Sequence, residues 1–328
     1  MTYTRMLLKR ASKQIGLACI AMLLSMSMAS SAVAQDYPAA SHDTWSSGTP
    51  MPKAIMGATA AVLGKRIMVF GGAMDWNLTS VLDTLVYNPA SNTWSKGAPL
   101  PAPIFNPSAA VVNNVLYVFG GVDGPTTLDT VWAYSLQTKT WSAKSPMPTE
   151  TQCSGAVVEK NNTIYVIGGS IGWNRLNNVD SYNPATDTWT EEAPLLTGRS
   201  CPTVGLIGTW IVAVDGDMPG EIRNGDLEGY NPFTNTWKTG APDPTPRDAA
   251  CGGSIGPQLY VAGGSVGGGT FLNVTESFGP NNTWATLAPM PQGTLWAASA
   301  VYNGQLYCFG GAAGWDGTVL NNVQIYQP

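Results

Sequence analysis

The chain has 328 residues, of which 11% are charged, with a formal net charge of −5 and a single histidine, His42. That balance lacks the basic face a nucleic-acid partner needs, and one histidine leaves little for a Ser-His-Asp triad or a histidine-built metal centre. Glycine (37), proline (24) and tryptophan (12) are abundant, which points to short strands and tight turns, not helices.

In chain order, residues 1–34 read as a secretory signal. Arg5, Lys9, Arg10 and Lys13 form a basic start, Ile15 to Met28 an apolar run, and Ala32-Val33-Ala34 a small-x-small cleavage pattern. The apolar run is shorter than the ~20 residues of a comfortable membrane span, so the expectation is export to a secreted or periplasmic location. The mature chain, residues 35–328, holds no further candidate span and no long linker, and is expected to fold as one domain.

From Trp45 onward the sequence repeats. Trp45, Trp94, Trp141, Trp189, Trp237 and Trp284 each follow a threonine and lie 47 to 49 residues apart. Tyr87, Tyr134, Tyr182 and Tyr230 each stand seven residues before a tryptophan, and Phe278 takes that place six residues before Trp284. Glycine pairs recur at Gly71-Gly72, Gly120-Gly121, Gly168-Gly169, Gly263-Gly264 and Gly310-Gly311; in the fourth unit the pair becomes Asp215-Gly216. Each unit reads as four strands: a small-residue strand, an apolar strand ending at the glycine pair, a strand ending at the tyrosine, and a short strand carrying the tryptophan.

Paired glycines, then tyrosine, then a Thr-Trp turn make this chain resemble the kelch-repeat family over residues 42–328. The resemblance implies an all-β fold, a six-bladed kelch-type β-propeller of four-stranded blades. The last unit stops at Pro328 without its tryptophan strand, and Trp45 arrives with no strands before it. The strand around Trp45 is therefore expected to complete the last blade and close the ring, covering edges that would otherwise stay open.

Strand parity places the loops between blades and the loops after each glycine pair on one face, where variable loops carry function. Trp76, Trp173 and Trp315 each stand four residues after a glycine pair and precede Asn or Asp, which suits stacking on sugar rings or capture of apolar side chains; the alternative is that each folds back onto its own or the next blade. Aligning the inter-blade loops gives a column Ile55, Ile104, Glu150, Arg199, Arg247 and Thr294, with Phe105 and Trp296 nearby. One half of the mouth is then apolar and the other polar. Arg199 and Arg247 either clasp a carboxylate bidentately or tie loops together, as arginine at this place does in kelch repeats. The fourth loop gathers Asp215, Asp217, Glu221, Arg223 and Asp226; a cation at Asp215 and Asp217 is weighed, but no ligand spacing supports a metal site.

No phosphate-binding glycine loop leads into a helix, so no cofactor is expected. Kelch-type galactose oxidases hold copper with histidine as well as tyrosine, so the resemblance does not extend to that activity. Cys153, Cys201, Cys251 and Cys308 are read as packed free thiols, because inner strands of adjacent blades usually stand too far apart to bridge; Cys153–Cys201 is the best-placed exception. Two functions remain. One is a binding module for a glycan or protein partner. The other is a non-metal isomerase of a small acidic sugar, for which exported kelch propellers that mutarotate sialic acid give precedent; there Arg199 and Arg247 hold the carboxylate and Glu150 moves the proton.

Overall fold

The computed structural model describes residues 42–220, 222–223, 225–314 and 317–328. The segment read as a signal lies outside the described residues, and so does Trp315. The described chain forms six four-stranded antiparallel sheets. Blade 2 is representative: its inner strand Ser108–Val112 pairs with Val115–Phe119, then Val131–Ser135, then the outer strand Thr140–Lys144. In blade 6 the outer strand is Thr44–Gly48, which pairs with Val323–Gln327 and sets Trp45 opposite Tyr326. Tyr326 donates to Asp43, whose carboxylate also accepts from the Ala288 amide. The strand around Trp45 thus closes the ring as the repeat pattern requires.

Three sets of inter-blade hydrogen bonds run around the ring. Each outer tryptophan donates its indole N–H to a backbone carbonyl of the preceding blade or its connecting loop, from Trp94 to Thr49 through Trp45 to Ala288, at 2.7–3.4 Å. Further in, the amide of each second glycine donates to the next inter-blade loop, as in Gly72 to Ile104 and Gly311 to Ile55, at 2.7–2.9 Å. Innermost, Gly57, Asn106, Cys153, Cys201, Ala249 and Trp296 form a closed cycle in which each amide donates to the carbonyl of the member before it, at 2.6–3.2 Å. All six of these innermost residues have left-handed backbones, with φ between 51° and 61°.

The glycine pair follows from this geometry. The second glycine has φ between 86° and 103° in every blade, outside the left-handed region that other residues tolerate. A Cβ at Gly121 would also meet Ile104 at 2.2 Å. The first position has φ near the ordinary left-handed value, which aspartate adopts more readily than most residues. Asp215, at φ 63°, takes it in blade 4 while Gly216 stays glycine.

Between blades the wedge is filled by aromatics. Second-strand Tyr117, Tyr165, Tyr260 and Tyr307 each meet the third-strand tyrosine of the next blade, at ring separations of 5.7–6.1 Å. Each such third-strand tyrosine also packs on its own blade's tryptophan, as Tyr182 does on Trp189 at 4.8 Å. Pairs of this kind add about 0.5–1.5 kcal/mol beyond the area they bury.

The cysteines overturn the free-thiol expectation. Cys153 is bridged to Cys201 and Cys251 to Cys308, with Cα separations of 4.6 and 5.9 Å. Cys153 and Cys201 are not on the inner strands at all. They belong to the innermost hydrogen-bonded cycle, where neighbouring blades come closest. Cys251 opens the inner strand of blade 5 and reaches the second strand of blade 6.

Candidate functional site

On the loop face each inter-blade loop forms a single bridge with the residue just after its own glycine pair: Met56 with Ala73, Phe105 with Val122, Gln152 with Ser170, Ser200 with Asp217, Asp248 with Ser265 and Leu295 with Ala312. These twelve residues build the wall of a funnel over the innermost cycle. Blades 6, 1 and 2 contribute an apolar bank, and blades 3, 4 and 5 a polar one. The funnel holds a cavity of ≈ 450 Å³ whose lining includes Phe105, Trp173, Arg175, Asp217, Arg223, Asp248 and Trp296, with the Cys153–Cys201 bridge in its floor.

The apolar bank is an aromatic cluster. Trp296 lies 5.8 Å from Trp76 and 5.6 Å from Phe105, ring to ring, and Met56, Ala73 and Ala312 pack behind them. Trp76 therefore folds back onto the neighbouring blade. Trp173 does not: it is 83% exposed, at the rim, with the Arg175 guanidinium 5.6 Å from its ring centre.

The polar bank is a chain of ion pairs crossing three blades. Arg175 pairs with Asp217, and Arg223 reaches both Asp217 at 4.0 Å and Asp248 at 3.4 Å. Burial raises the Asp248 carboxyl above its ordinary value, and the Arg223 guanidinium opposes that shift. Asp217 Oδ1 and Asp248 Oδ1 accept no hydrogen bond from the described residues. The bank thus carries two guanidinium and two carboxyl groups, with acceptor capacity to spare.

The column expected to line the mouth lies one residue outside it. Ile55, Ile104, Arg199, Arg247 and Thr294 are buried between blades, and the sixth place belongs to Thr151, not Glu150. Glu150 is one step further out and exposed. Arg199 and Arg247 are fully buried and tie loops to strands. Arg199 donates to the carbonyls of Asp215 and Asp226 and pairs with Glu228; Arg247 donates to the carbonyls of Gly263 and Val274 and pairs with Glu276. The carboxylate clasp read from these two arginines and Glu150 is not formed.

Asp215 likewise turns away from the funnel. It meets Asp243, which replaces the Met or Leu that other blades place there (Met51, Leu100, Met147, Leu195, Met290). Burial, then Asp243, hold the Asp215 carboxyl well above the ordinary range, while Arg247, 3.2 Å from Asp243, opposes that shift. With Asp217 committed to arginines, the weighed cation at Asp215 and Asp217 has no shared site. Among the described residues no group of three His, Cys, Asp or Glu side chains could hold a metal ion, and no helix is long and apolar enough to cross a membrane.

Arg175 and Asp248 escaped the sequence reading. Each stands directly after a more distinctive feature of its loop, Trp173-Asn174 and Arg247. Asp248 stands in the column next to the one that alignment on the glycine pairs singles out.

The KLHDC2/KLHL20/DRC7 Kelch-repeats domain matches residues 36–203, more than half of the chain, and the Kelch motif matches residues 246–291. The chain belongs to the kelch-repeat family. Among solved structures it is similar to that of YjhT, with 17% identity and a TM-score of 0.74 over 85% of this chain and 96% of that one; at that identity the likeness concerns the fold. No curated protein matches the chain at a significant level.

Proposed function

We propose that this kelch propeller is an exported binding module whose funnel holds a small neutral glycan. The observation that carries the reading is the two-sided wall: Phe105, Trp296 and Trp173 offer aromatic faces, and the Arg175–Asp217–Arg223–Asp248 chain faces them. A sugar ring has the same two characters, an apolar face of C–H groups and an edge of hydroxyls. The cavity falls within the ~300–1,000 Å³ of small-molecule sites, which favours one or two sugar rings over a protein surface. Two arginines balance two aspartates, which favours a neutral sugar over an acidic one. The acidic-sugar isomerase loses its support with Arg199 and Arg247 buried. Export is supported by the signal pattern of residues 1–34 and by two inter-blade disulfides, which persist in oxidising compartments.

The test is the melting temperature of the mature chain against neutral and acidic mono- and disaccharides. A neutral sugar should raise it, and Trp173→Ala and Asp248→Asn should each abolish that rise at unchanged sugar concentration. Stabilisation by acidic sugars alone, or by none of the panel, refutes the reading; in the latter case capture of a protein partner becomes the experiment.

A further inference from the structure

A second cavity, ≈ 590 Å³, lies away from the funnel, between blades 4 and 5 on the short-turn side. Its existence follows from the repeat. The second-strand position held by Tyr117, Tyr165, Tyr260 and Tyr307 in blades 2, 3, 5 and 6 is Val212 in blade 4 and Met68 in blade 1. The facing third-strand tyrosine is Phe278 in blade 5, whose turn to Trp284 is one residue shorter than the others. Gly229 adds nothing on the blade 4 side. The tyrosine pair that fills four of the other five seams is thus missing here, and Ile207, Val212, Leu227 and Phe278 line the space it leaves.

The gap is not a simple packing loss. Trp210 stands at its edge, where the same strand position is Arg66, Val115, Thr163, Gln258 or Gln305 in other blades. Lys238 sits 5.5 Å from the Trp210 ring centre, and Lys160 reaches the lining from the blade 3 hairpin. Neither lysine has an acidic partner among the described residues, and no carboxylate lines the cavity. In a chain with net charge −5, an apolar slot with two unneutralised ammonium groups at its mouth is a local departure.

We propose that the cleft between blades 4 and 5 is a second binding site, for a small apolar or aromatic anion whose body enters beside Val212 and Phe278 and whose charge meets Lys160 and Lys238. The apolar walls supply affinity by removing hydrocarbon from water, and the lysines select the sign of the charge. The site is independent of the funnel and of any sugar bound there.

The probe is 1-anilinonaphthalene-8-sulfonate, with uncharged N-phenyl-1-naphthylamine as its control. The folded mature chain should bind one sulfonate probe with fluorescence enhancement. Val212→Tyr, which restores the tyrosine of four other blades, should abolish that binding. Lys160→Gln with Lys238→Gln should weaken the sulfonate probe about two- to thirtyfold, the range two exposed charge contacts supply, and leave the uncharged probe unchanged. The lysine variants lie on the surface, so they decide the matter even if Val212→Tyr impairs folding. Binding that survives Val212→Tyr, an equal loss of both probes on removing the lysines, or no binding by the wild-type chain overturns the proposal.

Discussion

Arg247 offers the sharpest test of how the ring is held. Its side chain is fully buried, donates to the carbonyls of Thr245, Gly263 and Val274 at 2.9, 3.2 and 3.1 Å, pairs with Glu276, and lies 3.2 Å from Asp243. Arg247→Ile strands two carboxyl groups and several carbonyls in a dry interface. Breaking a buried pair by removing one partner costs about 3–5 kcal/mol, a fall in Tm of roughly 6–10 °C at about 2 °C per kcal/mol for a domain this large. Blade 1 shows the apolar solution at the same positions: Met51, Ile55 and Leu85 stand where blade 5 has Asp243, Arg247 and Glu276. The triple variant Asp243→Met, Arg247→Ile, Glu276→Leu should therefore recover most of the loss, since a well-packed apolar set replaces a buried ion pair at little cost. Thermal and urea unfolding of both variants measure this. A single variant within about 1 kcal/mol of wild type, or a triple variant as unstable as the single, refutes the reasoning, the latter by showing that the arginine's carbonyl bonds matter more than its charge.

Deleting residues 42–50 should lower the melting temperature of the whole ring, because blade 6 loses its outer strand and the Asp43 bridge; an unchanged melt refutes ring closure by this strand. Peptide mapping without reduction should pair Cys153 with Cys201 and Cys251 with Cys308, and Cys153→Ser with Cys201→Ser should cost about 2–4 kcal/mol; any other pairing refutes the assignment. Asp180 occupies the position of Glu228 and Glu276, but its loop offers Thr151 instead of an arginine, and burial pushes its carboxyl up to about 6 from an ordinary 3.8. A raised folded-state value means stability is lost as pH rises from about 4 to 6, so Asp180→Asn should gain on wild type across that window; a pH-independent difference refutes the shift.

How much of this was legible beforehand depends on what the repeat repeats. Blade number, strand order and closure through Trp45 were readable because Trp, Tyr and the glycine pair occupy positions whose geometry admits few other residues: wedge fillers and a φ near 90°. The division of the mouth into apolar and polar halves was readable for the same reason, since Phe105 and Trp296 lie in the connecting loops. Which residues face the cavity was not, because neighbouring loop residues alternate between the funnel and the inter-blade seam. The column falls one residue short of the mouth at Arg199 and Arg247, where Ser200 and Asp248 face the funnel, and two short at Glu150, where Gln152 does. The disulfides are not legible from strand spacing, because Cys153 and Cys201 sit in the left-handed cycle where the chains nearly touch.

Apart from Met68, which takes the second-strand tyrosine's place in blade 1, the breaks in the repeat gather at one seam. Asp215 for glycine, Asp243 for Met or Leu, Val212 and Phe278 for tyrosine, and Gly229 all face the seam between blades 4 and 5. That seam lacks the tyrosine pair and buries the Asp215 and Asp243 carboxyls together, yet the disulfides reinforce the seams on either side of it, blades 3 to 4 and 5 to 6. In a closed ring each interface is restrained by the others, so covalent links at two seams let a third depart from ideal packing without opening the circle. The Arg247 clasp is then what keeps the altered seam shut at its inner end, while its outer end stays open as the cleft lined by Trp210 and Phe278. On this reading the charge cluster and the cavity are two consequences of one exchange: wedge aromatics given up between blades 4 and 5, with ionic ties and neighbouring disulfides holding the ring in their place.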